Sequence, residues 1–117
     1  MRHARLALIL TLLAATPASA FQPVTSRDAF LQVVGGKVLS GPRGVRLQVL
    51  SDGRIAGRGF GLRVGGAWRW ADGHFCRTLE TALRDFPEDC QTVAVQGDVV
   101  RFVAERGTGD VADLTLR

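Results

Sequence analysis

From Lys37 onward the sequence alternates. Apolar and polar residues trade places with period two over short runs, and a glycine-bearing turn signal interrupts them roughly every 8–12 residues. The runs are Lys37–Ser40, Val45–Leu50, Arg54–Phe60, Leu62–Trp70, His74–Thr78, Cys90–Gln96, Val99–Glu105 and Val111–Arg117. Links this short join antiparallel neighbours, because a parallel crossover needs about a dozen residues or more. The pattern predicts an all-β fold with a short N-terminal helix. Its sheet of about 7–8 strands forms a small antiparallel β-barrel or a strongly curved meander, with a two-sheet sandwich as the second choice.

Turn chemistry sets the registers. Ser51-Asp52-Gly53 and Ala71-Asp72-Gly73 both read as three-residue loops with glycine in the left-handed position. The first loop places Val49 opposite Ile55, Leu47 opposite Gly57 and Val45 opposite Gly59. The second places Trp70 opposite His74 and Trp68 opposite Cys76. Two-residue turns at Phe60-Gly61 and Gly97-Asp98 set Arg58 opposite Arg63, Val95 opposite Val100 and Val93 opposite Phe102. A slip of one residue would turn every side chain to the other face. These registers predict a core of Phe30, Val34, Val45, Leu47, Val49, Ile55, Trp68, Trp70, Val93, Val95, Val100, Phe102, Leu114 and Leu116.

One helix is expected ahead of the strands. Thr25 to Asp28 resembles a capping box, Ala29–Val34 carries the apolar residues, and Gly35 can end it. Two turns are marginal alone, so Phe30 and Val34 must pack against the sheet as a plug. The one long connection is Leu79–Asp89, where Glu80–Asp85 can form a helical turn before Phe86-Pro87.

Residues 1–20 read as a cleavable signal peptide. Arg2, His3 and Arg5 precede an apolar run from Leu6 to Ala15, and Ala18-Ser19-Ala20 supplies the small-x-small cleavage pattern. The run is too short to span a membrane, and no later stretch could do so. Residues 21–117 are then a single β-rich domain, periplasmic or secreted after cleavage between Ala20 and Phe21. In that compartment the two cysteines, Cys76 and Cys90, read as one disulfide. A metal pair is the rival, but no CxxC occurs and the only histidine after the leader is His74.

Three stretches carry a family resemblance: Asp52–Gly57, Gly66–Arg77 and Cys90–Val93. The chain resembles a small secreted family of Gram-negative bacteria whose pattern runs DGxIxG…GxWxWxxGxFCR…CQxV…GDxxRF…RGxGDxADxxLR. It covers almost all of residues 21–117. Members often carry the label dihydrodipicolinate reductase, which implies that the label could attach here. That activity needs a dinucleotide-binding strand, glycine turn and helix. The only candidate, Gly57-Arg58-Gly59-Phe60-Gly61-Leu62, has Leu62 where the third glycine belongs and no helix pattern after it. A looser similarity, in size and architecture only, is to periplasmic lysozyme inhibitors.

Candidate sites are few. Trp68 and Trp70, two apart on one strand face, could form an apolar ligand wall with His74, although core packing explains the pair as well. His74 finds no nucleophile or orienting partner in sequence, so no catalytic residue is assigned. Glu88-Asp89 and Asp110/Asp113 read as solvated loop acids. No cofactor is implied.

Charge is uneven. The chain carries 15 Lys+Arg against 11 Asp+Glu, and from Lys37 to Arg69 seven bases face one acid, Asp52. The turn registers set Arg46 opposite Arg58 and Arg58 opposite Arg63, three like charges on neighbouring strands. Like charges directly opposite destabilise a sheet. The three arginines are therefore a candidate anion site, by charge-assisted hydrogen bonds. Nucleic acid is a poor partner, with no recognition helix and an exported chain. Outer-leaflet glycolipid, cell-wall polymer or a secreted acidic protein fits better. The reading is an exported non-enzymatic binding module whose unknown ligand could be anionic. The alternative is an inhibitor of a secreted enzyme that uses the 79–89 segment as a disulfide-clamped wedge.

Overall fold

A computed structural model describes residues 2–11 and 20–117. Residues 2–11 have no regular secondary structure, and Leu6, Leu8, Ile9 and Leu10 are exposed. Leu12–Ala15 of the apolar run and Ala18-Ser19 of the cleavage pattern lie outside the described residues.

Nine strands and two helices follow: β1 (Gln22–Val24), α1 (Arg27–Val34), β2 (Leu39–Ser40), β3 (Arg46–Val49), β4 (Arg54–Gly59), β5 (Leu62–Ala71), β6 (His74–Glu80), β7 (Asp85–Gln96), β8 (Val99–Val103), the four-residue α2 (Ala104–Gly107) and β9 (Val111–Leu116). Strands β2 to β9 pair in sequence order, all antiparallel, and β9 returns to β2. The result is a closed eight-stranded up-and-down barrel, the stronger of the expected architectures. Closure rests on little: Leu39 pairs Leu47 on one side and Leu116 on the other, and Val38 and Arg117 exchange two backbone hydrogen bonds at 2.9–3.0 Å. Barrel closure removes the sheet edges that would otherwise recruit other chains.

The ninth strand, β1, lies ahead of the helix, outside the eight alternating runs. It pairs with β7, Gln22 opposite Val95 and Val24 opposite Val93, and buries Val24. Pro23 is tolerated because this strand is an edge.

Helix α1 plugs one end. Its cap is Ser26 rather than Thr25: the Ser26 hydroxyl accepts from the Ala29 amide at 3.1 Å. Phe30 and Val34 are fully buried. The Phe30 ring lies 4.9–5.4 Å from those of Trp68, Trp70 and Phe75, in tilted and edge-on arrangements that aromatic quadrupoles favour. Arg27 latches the plug by donating to the Ser51 carbonyl at 2.9 Å and lying over the Trp68 ring. The Trp68 indole N–H donates to the Leu50 carbonyl at 2.7 Å, so its one polar atom is satisfied.

The Ser51–Gly53, Phe60-Gly61 and Gly97-Asp98 turns give the expected registers, including Arg46 opposite Arg58 and Arg58 opposite Arg63. The β5–β6 turn does not. Asp72 (φ 51) and Gly73 (φ 74) make a two-residue turn, so Trp70 faces Phe75, Trp68 faces Arg77, and Arg69 faces Cys76. This register puts Phe75 and Arg77 inside and Cys76 outside. It corrects the pairing of Trp70 with His74 and of Trp68 with Cys76. An Asp-Gly pair supplies two left-handed residues at little expense, and the slip brings Phe75 into the aromatic cluster.

The 79–89 segment is likewise not a loop with a helical turn. β6 and β7 continue through it, Leu79 opposite Phe86 and Glu80 opposite Asp85, and only 81–84 turn. Gly66 permits the close approach of β5 to β6 here: a Cβ there would lie 2.2 Å from the Thr78 carbonyl oxygen.

Most of the expected core is buried. Trp70, Val95, Leu114 and Leu116 are partly buried against it, and Val45 and Leu47 are partly buried outside it, because the half of the barrel they line is hollow. Val24, Leu39, Val64 and Phe75 join the core unanticipated.

Candidate functional site

The up-and-down connectivity sorts the loops. The 50–53, 71–74 and 97–98 turns lie at the α1 end. The 41–45, 60–61, 81–84 and 104–110 links lie at the other, where the only helical element among the described residues is the four-residue turn Ala104–Gly107. From this open end a cavity of about 790 Å³ runs down inside the barrel. Eight strands are enough to hold one small ligand, and this volume is that of a small-molecule pocket. The wall is mostly apolar: Leu47, Val49, Ile55, Val64, Phe102 and Leu114 all contribute, and Leu79 and Phe86 line the side nearest the β6–β7 hairpin.

One charged side chain of the wall is drawn out of solvent. Arg77, in the middle of β6, faces the cavity beside Phe75 and Leu79. Burial pushes its pKa down, and Asp89 on β7 pulls the other way. An arginine nevertheless stays charged. Among the described residues its one side-chain hydrogen bond is long, Nη1 to the Pro87 carbonyl at 3.5 Å. Asp89 forms no ion pair with it: one Asp89 oxygen accepts from Gln91 at 2.8 Å and the other from the Glu105 amide at 3.0 Å. Most guanidinium donors thus remain available in a largely apolar cavity, where an anion would bind them strongly.

The mouth carries more arginine. Arg43, Arg58 and Arg84 line it, with Asp113 as the one acid. Asp113 is committed to Arg101 through two hydrogen bonds at 2.8 and 2.9 Å, which hold its carboxyl below the usual range.

The arginine row is assembled as the sequence suggested. Arg46, Arg58 and Arg63 lie on three adjacent strands, exposed on the outer wall. Among the described residues no carboxylate ion-pairs with them. Arg58 also reaches the cavity mouth and donates to the Gly61 carbonyl.

Trp68, Trp70 and His74 do not line the cavity. They sit at the plugged end, where Phe30 fills the space beneath both tryptophans. The His74 Nδ1 lies 2.7 Å from the Asp72 carbonyl, as part of the hairpin turn.

Cys76 and Cys90 are directly opposite each other on β6 and β7 and form the disulfide. Arg69 on β5 reaches across it to Glu88 on β7 in a bidentate pair at 2.7 and 3.0 Å. The Glu88 carboxylate lies within 4.8 Å of both sulfurs. That trio has no metal-site chemistry, since the sulfurs are bonded to each other and the carboxylate to Arg69. Gly57 to Leu62 forms the end of β4, a hairpin turn and the start of β5, which is not a dinucleotide cradle.

Sequence reasoning missed Arg77, Phe60 and Leu83. Asp72-Gly73 taken as a two-residue turn would have found Arg77, by placing it on the inward face. Phe60 is signalled by Phe-Gly standing where a two-residue hairpin turn prefers Asn-Gly.

The frame these residues define is a hollow eight-stranded barrel with a plugged floor and a cationic mouth. Comparison with protein-family models, curated proteins and solved structures finds no match for this chain.

Proposed function

We propose that the chain is an exported, non-enzymatic binding module that holds an anionic amphiphile in its barrel. The apolar body of the ligand lies against Val64, Leu79 and Leu114, and its acid group meets Arg77. The observation that carries this reading is Arg77: a half-buried cation with most of its donors unused, set in a mostly apolar cavity. Export is supported by the basic-then-apolar N-terminal pattern and by the disulfide, which suggests an oxidising compartment. The non-catalytic part is supported by the placement of His74, at the far end from the cavity and engaged with its own turn.

A fluorescent fatty-acid analogue and its alcohol counterpart test this. Hydrogen bonds to a charged group are worth about 1.5–3 kcal/mol, so Arg77→Leu should weaken the acid by about 10- to 150-fold. The alcohol should bind both proteins alike. Equal loss of acid and alcohol would make Arg77 a structural residue only.

One observation favours the inhibitor alternative. The disulfide braces the β6–β7 hairpin, whose tip holds Leu83 in solvent. Replacing 81–84 by an Asn-Gly turn and losing a captured secreted enzyme, with acid binding intact, would support it.

A further inference from the structure

The mouth is built from conformations that are costly without a partner. Four of the five non-glycine residues with positive φ lie in its loops: Arg43, Phe60, Glu105 and Arg106. The fifth, Asp72, belongs to an ordinary Asp-Gly turn at the plugged end. Phe60 is the extreme case. It holds an aromatic side chain at φ 55, yet remains 64% exposed. Bulky residues rarely adopt this conformation, and here no burial offsets it. The Phe60 amide donates to the Arg43 carbonyl at 3.0 Å, and the Arg43 guanidinium lies over the ring, so the two loops form one braced lip. On the adjacent hairpin Leu83 is 81% exposed. The Thr81 hydroxyl accepts from both the Leu83 and Arg84 amides, which fixes that tip as well. Two apolar side chains are therefore held in water by hydrogen-bonded turns on neighbouring hairpins at the same end of the barrel.

The charges below them have one dominant sign. Arg58 and Arg63 flank the Phe60 turn, Arg46 continues the row on β3, and Arg43 and Arg84 stand beside the two tips. Glu80 and Asp85 at the base of the second hairpin are the acids on this flank. Glu105 and Asp110 belong to the fourth loop, 104–110, which faces the Phe60 turn across the mouth and packs against β7 of the second hairpin.

We infer that the barrel docks mouth-first on an anionic membrane surface. Phe60 and Leu83 enter the headgroup region, and the arginines around them meet lipid phosphates. Apolar tips backed by arginine are the side chains that interfacial binding uses. A docked mouth opens directly onto the bilayer, the phase in which an amphiphile resides. The inference concerns the rim and does not require the cavity to take a ligand.

Co-sedimentation with vesicles tests it, using mixed phosphatidylglycerol/phosphatidylcholine vesicles and pure phosphatidylcholine vesicles. All variants are made on residues 21–117, which hold every described strand and helix, so the apolar residues of the leader contribute nothing to either vesicle type. Wild type should bind the anionic vesicles, more weakly as salt rises, and leave the zwitterionic ones unbound. Phe60→Asn with Leu83→Ser should lower binding about tenfold or more. Arg58→Gln with Arg63→Gln should lower it about fivefold per residue. Arg77→Leu, which changes the cavity wall and leaves the rim intact, should keep its affinity for vesicles. Undiminished vesicle binding by the Phe60/Leu83 variant overturns the inference, as does equal binding to both vesicle types. Wild type that ignores vesicles but is retained by an immobilised acidic protein overturns it in favour of a protein partner.

Discussion

At Phe60 the sequence spends a residue against its own backbone preference, and the same turn shows what stability alone would select. A two-residue hairpin turn with both φ values positive favours Asn-Gly, and residue 61 is already glycine (φ 76). Left-handed backbone costs a bulky residue roughly 1–3 kcal/mol, while a cation–π contact at an exposed site returns about 0.5–1. Phe60→Asn should therefore leave the protein between unchanged and about 1 kcal/mol more stable. Chemical denaturation followed by circular dichroism reads this directly. A loss of stability would mean that Phe60 serves the fold after all. Arg77 makes the converse point. Its identity was plain in the sequence, but its direction depended on whether one turn held two residues or three.

At the scale of elements, the β6–β7 hairpin decided most of what was and was not legible. The alternation of Arg54–Phe60 and Leu62–Trp70, and the turns at Ser51–Gly53 and Gly97-Asp98, gave correct registers because apolar partners on both strands agreed. At Ala71-Asp72-Gly73 two registers each aligned aromatic residues, and only the three-dimensional competition for the space around Phe30 chose between them. The 79–89 stretch lacks alternation: Glu80, Thr81, Leu83, Arg84 and Asp85 give no period-two face, and Pro87 suggests a break. It folds as strands because Leu79 and Glu80 pair with Gly66 and Gly65 of β5 on one side and with Phe86 and Asp85 of β7 on the other. The disulfide closes this hairpin near its middle, Cys76 to Cys90. A bridge closing about 15 residues contributes roughly 3 kcal/mol by restricting the unfolded chain, so Cys76→Ser should destabilise by about 2–5 kcal/mol. Denaturant midpoints of the oxidised protein and the variant check this, and indistinguishable midpoints would show the bridge to be dispensable.

The whole molecule is a barrel whose two halves differ. The α1 half is packed solid by Phe30, Trp68, Phe75 and Phe102, and the other half is open. Alternation in the sequence marks which residues point inward but says nothing about whether the inside is full. That is why Val45 and Leu47 read as core and turned out to line a cavity. On the outer surface three carboxyls, Asp52, Glu88 and Asp113, have their pKa lowered by hydrogen bonds from Arg54, Arg69 and Arg101. A carboxyl with a folded pKa below its unfolded value adds stability that is complete above the ordinary carboxylate range and is lost as pH falls through the lowered value. All three pairs are solvent-exposed, so each contribution is small and screened by salt. Thermal midpoints should decline as pH is lowered into the acid range, with a shallower decline at high salt. A midpoint that rises on acidification would contradict the pairing.

The central claim is that the hollow half of the barrel receives an acid at Arg77. Amide NMR of the isotopically labelled protein titrated with decanoate tests it most directly. The account expects saturable, one-to-one shifts at Val64, Arg77, Leu79 and Leu114, absent in Arg77→Leu. Shifts confined to the outer row of Arg46, Arg58 and Arg63, with the cavity residues silent, would contradict it.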